Sequence, residues 1–220
     1  MVDWAEHARR EEARYRHGEA RLPDAEDQDA RQRQLTRMGN AASGAGLARL
    51  MGGDAEEARA WFAKAVERYR ESYELAPPGS WGRPIAILKA RILAGDWDGA
   101  KSDARWTLEQ GAADSDSPIA RYAATLALLL LGHDEEARVL AEGLRARDDF
   151  PAPVGDALAY IAADERLAYI EAIEAVLESF ETREDYLEDL PAADTVVVLE
   201  ALAARRNMAA ELSSPLLPRS

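Results

Sequence analysis

One short motif recurs three times in this chain. It appears as Gly53-Asp54-Ala55-Glu56-Glu57-Ala58-Arg59, then as Gly95-Asp96-Trp97-Asp98-Gly99-Ala100-Lys101. The third copy, Gly132-His133-Asp134-Glu135-Glu136-Ala137-Arg138, has histidine in place of the first acid. The glycines lie 42 and then 37 residues apart, a spacing typical of helical repeat arrays. Glycine closes a helix in the left-handed conformation without steric cost. The acids behind it suit the start of the next helix, where free amides and the positive end of the macrodipole meet them. The small alanine lets the two helices approach. Each motif therefore predicts the turn of an antiparallel helix pair.

The flanking segments carry matching apolar stripes. Ala58, Trp61, Ala65, Tyr69 and Tyr73 share one helical face, as do Ile85, Leu88 and Ile92. Trp97, Ala100, Ala104 and Leu108 follow the second turn, and Ile119, Tyr122, Leu126 and Leu129 precede the third. Ala137, Leu140, Ala141 and Leu144 follow the third. These spacings are those of amphipathic helices. Proline- and glycine-rich links at 76–80, 111–118 and 150–153 separate the pairs, because proline cannot continue a helix interior. The only β-branched run, Thr195 to Val198, lies inside a helical pattern.

The ends are less regular. Residues 1–35 are charged and read as an arm or a helix, with Asp3 capping a helix that runs to Arg21 and breaks at Leu22-Pro23. The polar stretch Asp24 to Arg33 reads as a solvated helix or a mobile arm. After Phe150, Ala157 to Ala162 predicts a short helix. Asp164 is expected to cap a longer one from Glu165 to Phe180, with Leu167, Ile170, Ile173, Leu177 and Phe180 inward. Asp185 to Leu190 reads as a loop or single turn, Asp194 as the cap of a last helix through Arg206, and Ser213 to Ser220 as an extended tail. The expected fold is all-α: antiparallel helix pairs stacked as a short α-solenoid over 36–148, with a C-terminal helical cap over 149–220, in one domain.

Gly53 to Pro77 resembles the second half of a tetratricopeptide repeat in its Gly-Asp-x-Glu-Glu-Ala start, Ala65 and closing proline. The resemblance extends over about residues 36 to 148 and implies helix-pair stacking, a scaffold used to bind many kinds of protein. The C-terminal third carries a narrower pattern. Asp164-Glu165-Arg166-Leu167-Ala168-Tyr169-Ile170-Glu171-Ala172-Ile173 opens a long acidic helix. Val198-Leu199-Glu200-Ala201-Leu202-Ala203-Ala204-Arg205-Arg206 and Ser214-Pro215-Leu216-Leu217-Pro218 follow. This arrangement resembles the immunity protein 49 family of bacterial polymorphic-toxin systems, apart from Asn207 where glycine is expected after the late helix. The resemblance implies a protein that neutralises a cognate toxin by binding it.

Composition narrows the partners. The 220 residues hold 27 Lys plus Arg against 41 Asp plus Glu, a formal charge of −14. That field repels nucleic-acid phosphates and anionic lipid and attracts a basic protein, for example a basic toxin domain. Solubility alone would also account for it. Only Lys64, Lys89 and Lys101 are lysines, which suits either a GC-rich genome or a salt-rich cytoplasm. With no cysteine, disulfides, thiol catalysis and cysteine–zinc sites are excluded. The first residues lack a signal-peptide core, and the greasiest run, Leu126 to Leu131, is far below the ~20 residues of a membrane span. A cytoplasmic protein is expected.

No motif for chemistry emerges. His7, His17 and His133 have no metal-site spacing. The run Gly39-Asn40-Ala41-Ala42-Ser43-Gly44-Ala45-Gly46 lacks the Lys-Ser/Thr ending of a phosphate loop and reads as a small-residue helix face. Ser43 has no nucleophile-elbow context. Neighbouring acids such as Glu56-Glu57 and Glu135-Glu136 point about 100° apart on a helix and form no dyad. No catalytic, cofactor or metal residue is therefore assigned, and no cofactor is expected. The candidate contacts are Trp81 and Arg83 in the loop Gly79 to Pro84, where Trp81 could instead pin one repeat to the next, and the cluster Glu184, Asp185, Tyr186, Glu188 and Asp189, which could instead be a solvated linker. The expected function is a non-enzymatic protein-binding module. A general tetratricopeptide-like adaptor and an enzyme of unrecognised type are the alternatives.

Overall fold

All three glycine turns close helices in the left-handed conformation, with φ of 86° at Gly53, 67° at Gly95 and 77° at Gly132. The structure, a computed structural model, describes residues 2–186 and 189–218. Among the described residues the fold is all-α, without strands. The helices are α1 (Trp4–Arg21), α2 (Gln28–Met51), α3 (Ala55–Leu75), α4 (Gly82–Leu93), α5 (Trp97–Glu109), α6 (Pro118–Leu131), α7 (Asp134–Arg145), α8 (Ala152–Ala163), α9 (Arg166–Glu181) and α10 (Asp194–Ala204). No helix among the described residues is long and apolar enough to cross a membrane.

The acids at the turns divide their work. Asp54 accepts from the Glu57 amide at 3.3 Å and Asp96 from the Gly99 amide at 3.0 Å, as helix caps do. His133 holds the same position without a side-chain bond. Asp134, one residue on, instead takes a 2.6 Å hydrogen bond from Arg206. The third turn is thereby tied to the C-terminal segment.

From α1 to α9 each helix packs on the next, and short turns make neighbours antiparallel. The even-numbered helices α2, α4, α6 and α8 also touch one another in succession. The odd-numbered helices meet through long side chains. Arg70 of α3 reaches Asp103 of α5, and Tyr73 meets Trp106 edge-on at 4.9 Å. Even-numbered helices therefore form the tighter, inner layer of the array.

The N-terminal residues are structural. Asp3 caps α1, accepting from the Glu6 amide at 2.9 Å. Asp27 caps α2, which starts inside the polar stretch, so the division at residue 35 falls within one continuous helix. Two glutamates of α1 are buried and paired. Glu11 bonds Arg14 at 2.8 Å, and Glu12 bonds Arg49 of α2 at 2.5 Å. The small-residue run lies mid-helix in α2 and lets α3 come close. A Cβ on Gly39 would sit 2.7 Å from the Tyr69 ring, and one on Gly46 would sit 2.8 Å from the Phe62 ring.

The C-terminal third differs from expectation in several places. α8 begins at Ala152, earlier than expected, and Gly155 seats it against the Arg145 backbone of α7. Asp164, at φ 57°, closes α8 rather than capping α9, whose N-cap is Glu165. Leu167 is 80% exposed. The buried stripe of α9 runs through Tyr169, Ile173, Val176 and Phe180, and two residues before Tyr169 is about 200° around the helix. Ile119, in the first turn of α6, is likewise exposed.

α10 begins after Ala193 and ends at Ala204, so Asp194 is its first residue rather than its cap. Asn207 follows with φ 58°. A left-handed backbone there explains why asparagine can stand where glycine is expected, since asparagine tolerates that region better than most residues. α10 does not extend the stack. It folds back onto α4, α8 and α9. The tail is held down too: the Ala193 amide donates to Leu216 O at 2.9 Å, and a turn at Pro215-Leu216 replaces the expected extended run.

Glu200 anchors that tail, accepting from Tyr169 Oη at 2.6 Å and from the Ala210 amide at 3.1 Å. Burial raises its pKa above the ordinary 4.5, against the opposing effect of these hydrogen bonds. Folded Glu200 thus holds its proton more tightly than the unfolded chain does. Its contribution to stability falls as pH rises from below 4.5 through the folded value. Glu200→Gln keeps the Oε1 acceptor and lacks that loss. Its Tm relative to wild type is expected to rise between pH 4 and pH 7 in thermal melts.

Candidate binding cleft

The return of α10 and of the segment before it closes one side of a concavity against α2, α3 and α4. Thr36, Asn40, Ser43 and Leu47 of α2 recur every three or four residues and present one face. The Tyr69 ring, the outer side of α4 and Asp194 complete a compartment of about 360 Å³. A second compartment of about 260 Å³ shares Asn40, Leu47, Tyr69, Lys89 and Asp194 with the first. It runs on under Phe180, Arg183 and Tyr186. The two are halves of one cleft.

Its polar groups are fixed. Tyr69 Oη donates to Asn40 Oδ1 at 2.8 Å. Arg83 Nε donates to Ser72 Oγ at 2.8 Å, and its Nη2 donates to Thr36 Oγ1 at 3.0 Å and to Gln32 Oε1. All of these partners are neutral. Burial lowers the Arg83 pKa, and the guanidinium still stays charged. Lys89 Nζ lies 2.5 Å from Asp194 Oδ2 and 3.1 Å from Thr195 Oγ1. Burial pulls the Lys89 pKa down, but the Asp194 carboxylate more than offsets it and the net direction is up. The buried Tyr122 hydroxyl, which feels both charges, has no hydrogen-bond partner among the described residues, and burial pushes its pKa up.

The residues singled out in the sequence separate into three groups. Trp81 is only 9% exposed and packs on Ala112, Ala120 and Ala124. It pins the start of α4 to α6, the structural role open to a tryptophan between repeats. Arg83 and Tyr186 line opposite compartments of the cleft. Tyr186 Oη donates to Phe180 O at 2.8 Å, so this side chain is half-buried and fixed. Glu184, Asp185 and Asp189 are exposed, and Asp189 has φ 53°. Glu188 lies outside the described residues.

The Lys89–Asp194 pair escaped sequence reasoning. Its partners stand on helices far apart in the chain, and neither falls in a local motif. The scarcity of lysine was the one available signal. Among the described residues, no group of three His, Asp or Glu side chains is placed to hold a metal ion.

Comparison of the chain with protein-family models, with curated proteins and with solved structures finds no match.

Proposed function

We propose that this chain is a non-enzymatic protein-binding module whose partner is basic and docks over the acidic loop at the rim of the cleft. The observation that carries this is the exposure of Glu184, Asp185 and Asp189 beside a preformed cleft, with no ion pair to any of them among the described residues. Carboxylates left open in this way add to the long-range field of the −14 charge, which steers a basic surface to the rim. The floor of the cleft also suits binding. Its Lys89 and Asp194 are bonded to each other, so neither is poised toward a substrate.

The narrowest form of the proposal is an immunity protein acting in a bacterial cytoplasm on a cognate toxin. It draws on the resemblance of the C-terminal third. A toxin gene beside this one would support it.

Affinity capture from the host, followed by binding measurements on whatever is captured, tests the role. Glu184→Lys with Asp185→Lys and Asp189→Asn removes the rim charge and retains a residue suited to φ 53°. The triple variant is expected to melt like wild type and to bind about tenfold more weakly or worse, chiefly through a slower on-rate. Capture of no protein at physiological salt, or equal binding by the variant, overturns the proposal.

A further inference from the structure

The cleft is charged oppositely to the molecule around it. Its lining holds three cations, Arg83, Lys89 and Arg183, against one carboxylate, Asp194, in a chain of net −14. Asp194 is taken by Lys89. Among the described residues, Arg183 bonds Ser179 and stacks on Phe180, its guanidinium 3.7 Å from the ring centroid. Arg83 spends Nε and Nη2 on neutral acceptors. Its Nη1 has no acceptor among the described residues, though Arg83 lines the larger compartment.

Elsewhere this acidic chain commonly gives its arginines carboxylates. Arg49, Arg70, Arg91 and Arg206 all have one. An arginine fixed by three neutral groups at a cavity wall is held in place with a charge to spare, and guanidinium groups suit carboxylates. The wall also has an apolar part, Leu47, Ile85, Ala86, Leu93 and Tyr69, beside the polar Thr36, Asn40 and Ser43. At about 360 Å³, the larger compartment fits the low end of the roughly 300–1,000 Å³ range of small-ligand sites.

We infer that the cleft binds a small organic anion, a carboxylate on an apolar stem, with the carboxylate on Arg83 and the stem against Leu47, Ile85 and Tyr69. The inference does not depend on the docking of a protein at the rim, which is carried by the exposed acids Glu184, Asp185 and Asp189.

Calorimetric titration of the full chain with butanoate, octanoate and 3-phenylpropanoate, each beside its neutral primary amide, tests it. At least one acid is expected to bind one-to-one and about tenfold or more tighter than its amide, as a charge-assisted bond in a partly buried site provides. Arg83→Gln is expected to remove that preference. Because Arg83 also joins α2, α3 and α4, its variant is checked for an intact helical spectrum. Ala86→Trp, which fills the compartment and leaves Arg83 untouched, is expected to block acid and amide alike. Binding of none of the acids overturns the inference. So does equal binding of acid and amide, a preference that survives in folded Arg83→Gln, undiminished binding to folded Ala86→Trp, or acetate and inorganic phosphate binding as tightly as the best acid.

Discussion

Gly46→Val is expected to lower the stability of this protein by about 3 kcal/mol, near the upper end of typical overpacking costs. The Cβ would lie 2.8 and 2.9 Å from two carbons of the Phe62 ring. That ring is completely buried in the cluster joining α2 to α3, so it cannot swing away, and the helices must part. Even Gly46→Ala is expected to destabilise. Alanine normally gains about 1 kcal/mol over glycine inside a helix, but here the contact outweighs the gain. Gly143→Ala in α7 is the internal control. Its nearest neighbour is the far end of Arg121 at 3.4 Å, so the same exchange is expected to stabilise, by up to about 1 kcal/mol. Urea unfolding of the three variants checks both signs. Wild-type stability in Gly46→Val would mean that α2 and α3 are not in contact at that register.

Asp103→Ala is expected to cost about 3 kcal/mol, the low end of the range for breaking a buried ion pair. Asp103 of α5 is 3% exposed and serves two guanidinium groups, Arg70 of α3 and Arg91 of α4, the latter at 2.8 Å. Without the carboxylate, two like charges from adjacent helices face each other across a desolvated gap. Each arginine retains partial access to water, and this keeps the cost from being larger. Removing the charges together separates packing from electrostatics. The triple variant Asp103→Ala, Arg70→Met, Arg91→Met is expected to recover most of the loss, because no unpaired charge remains at the buried Asp103 position, and the Asp96 that Arg91 also bonds is partly exposed and still caps α5. A triple variant no more stable than Asp103→Ala would show that the network acts by shape rather than charge.

The array was readable because its signals are local. A glycine that must turn left-handed, an acid that caps and an alanine that packs occupy seven consecutive residues, and all three motifs place their turns correctly. The small-residue face of α2 was equally plain. Where the chain stops repeating, local rules misplaced the details. Asp164 looks like a cap, yet it ends the helix before it. Asp194 looks like a cap, yet it is spent on Lys89. An isolated aspartate carries no mark of which partner it will find, because the choice depends on where distant helices arrive. The same limit governed the cleft. Arg83 and Tyr186 stood out for their unusual loops, but their meeting around one hollow depends on the direction in which α10 returns. For Trp81 the sequence left two roles open, because a loop tryptophan signals an anchor without saying whether it holds a partner or the next helix; the ring packs on Ala112, Ala120 and Ala124.

The return of α10 also changes how the molecule can come apart and come together. A linear stack of helix pairs couples only neighbours, so it can fray from either end and melt piecemeal. Here Lys89 near the middle of the stack is bonded to Asp194, and Arg206 is bonded to the turn between α6 and α7. These long-range clasps raise the separation in sequence between contacting residues, which slows the last step of folding, and they make loss of one end felt by the centre. During synthesis the pairs can stack as they emerge, but the clasp cannot close until α10 has left the ribosome. A nascent chain therefore passes through a stage in which the array exists and its cleft still lacks the C-terminal wall.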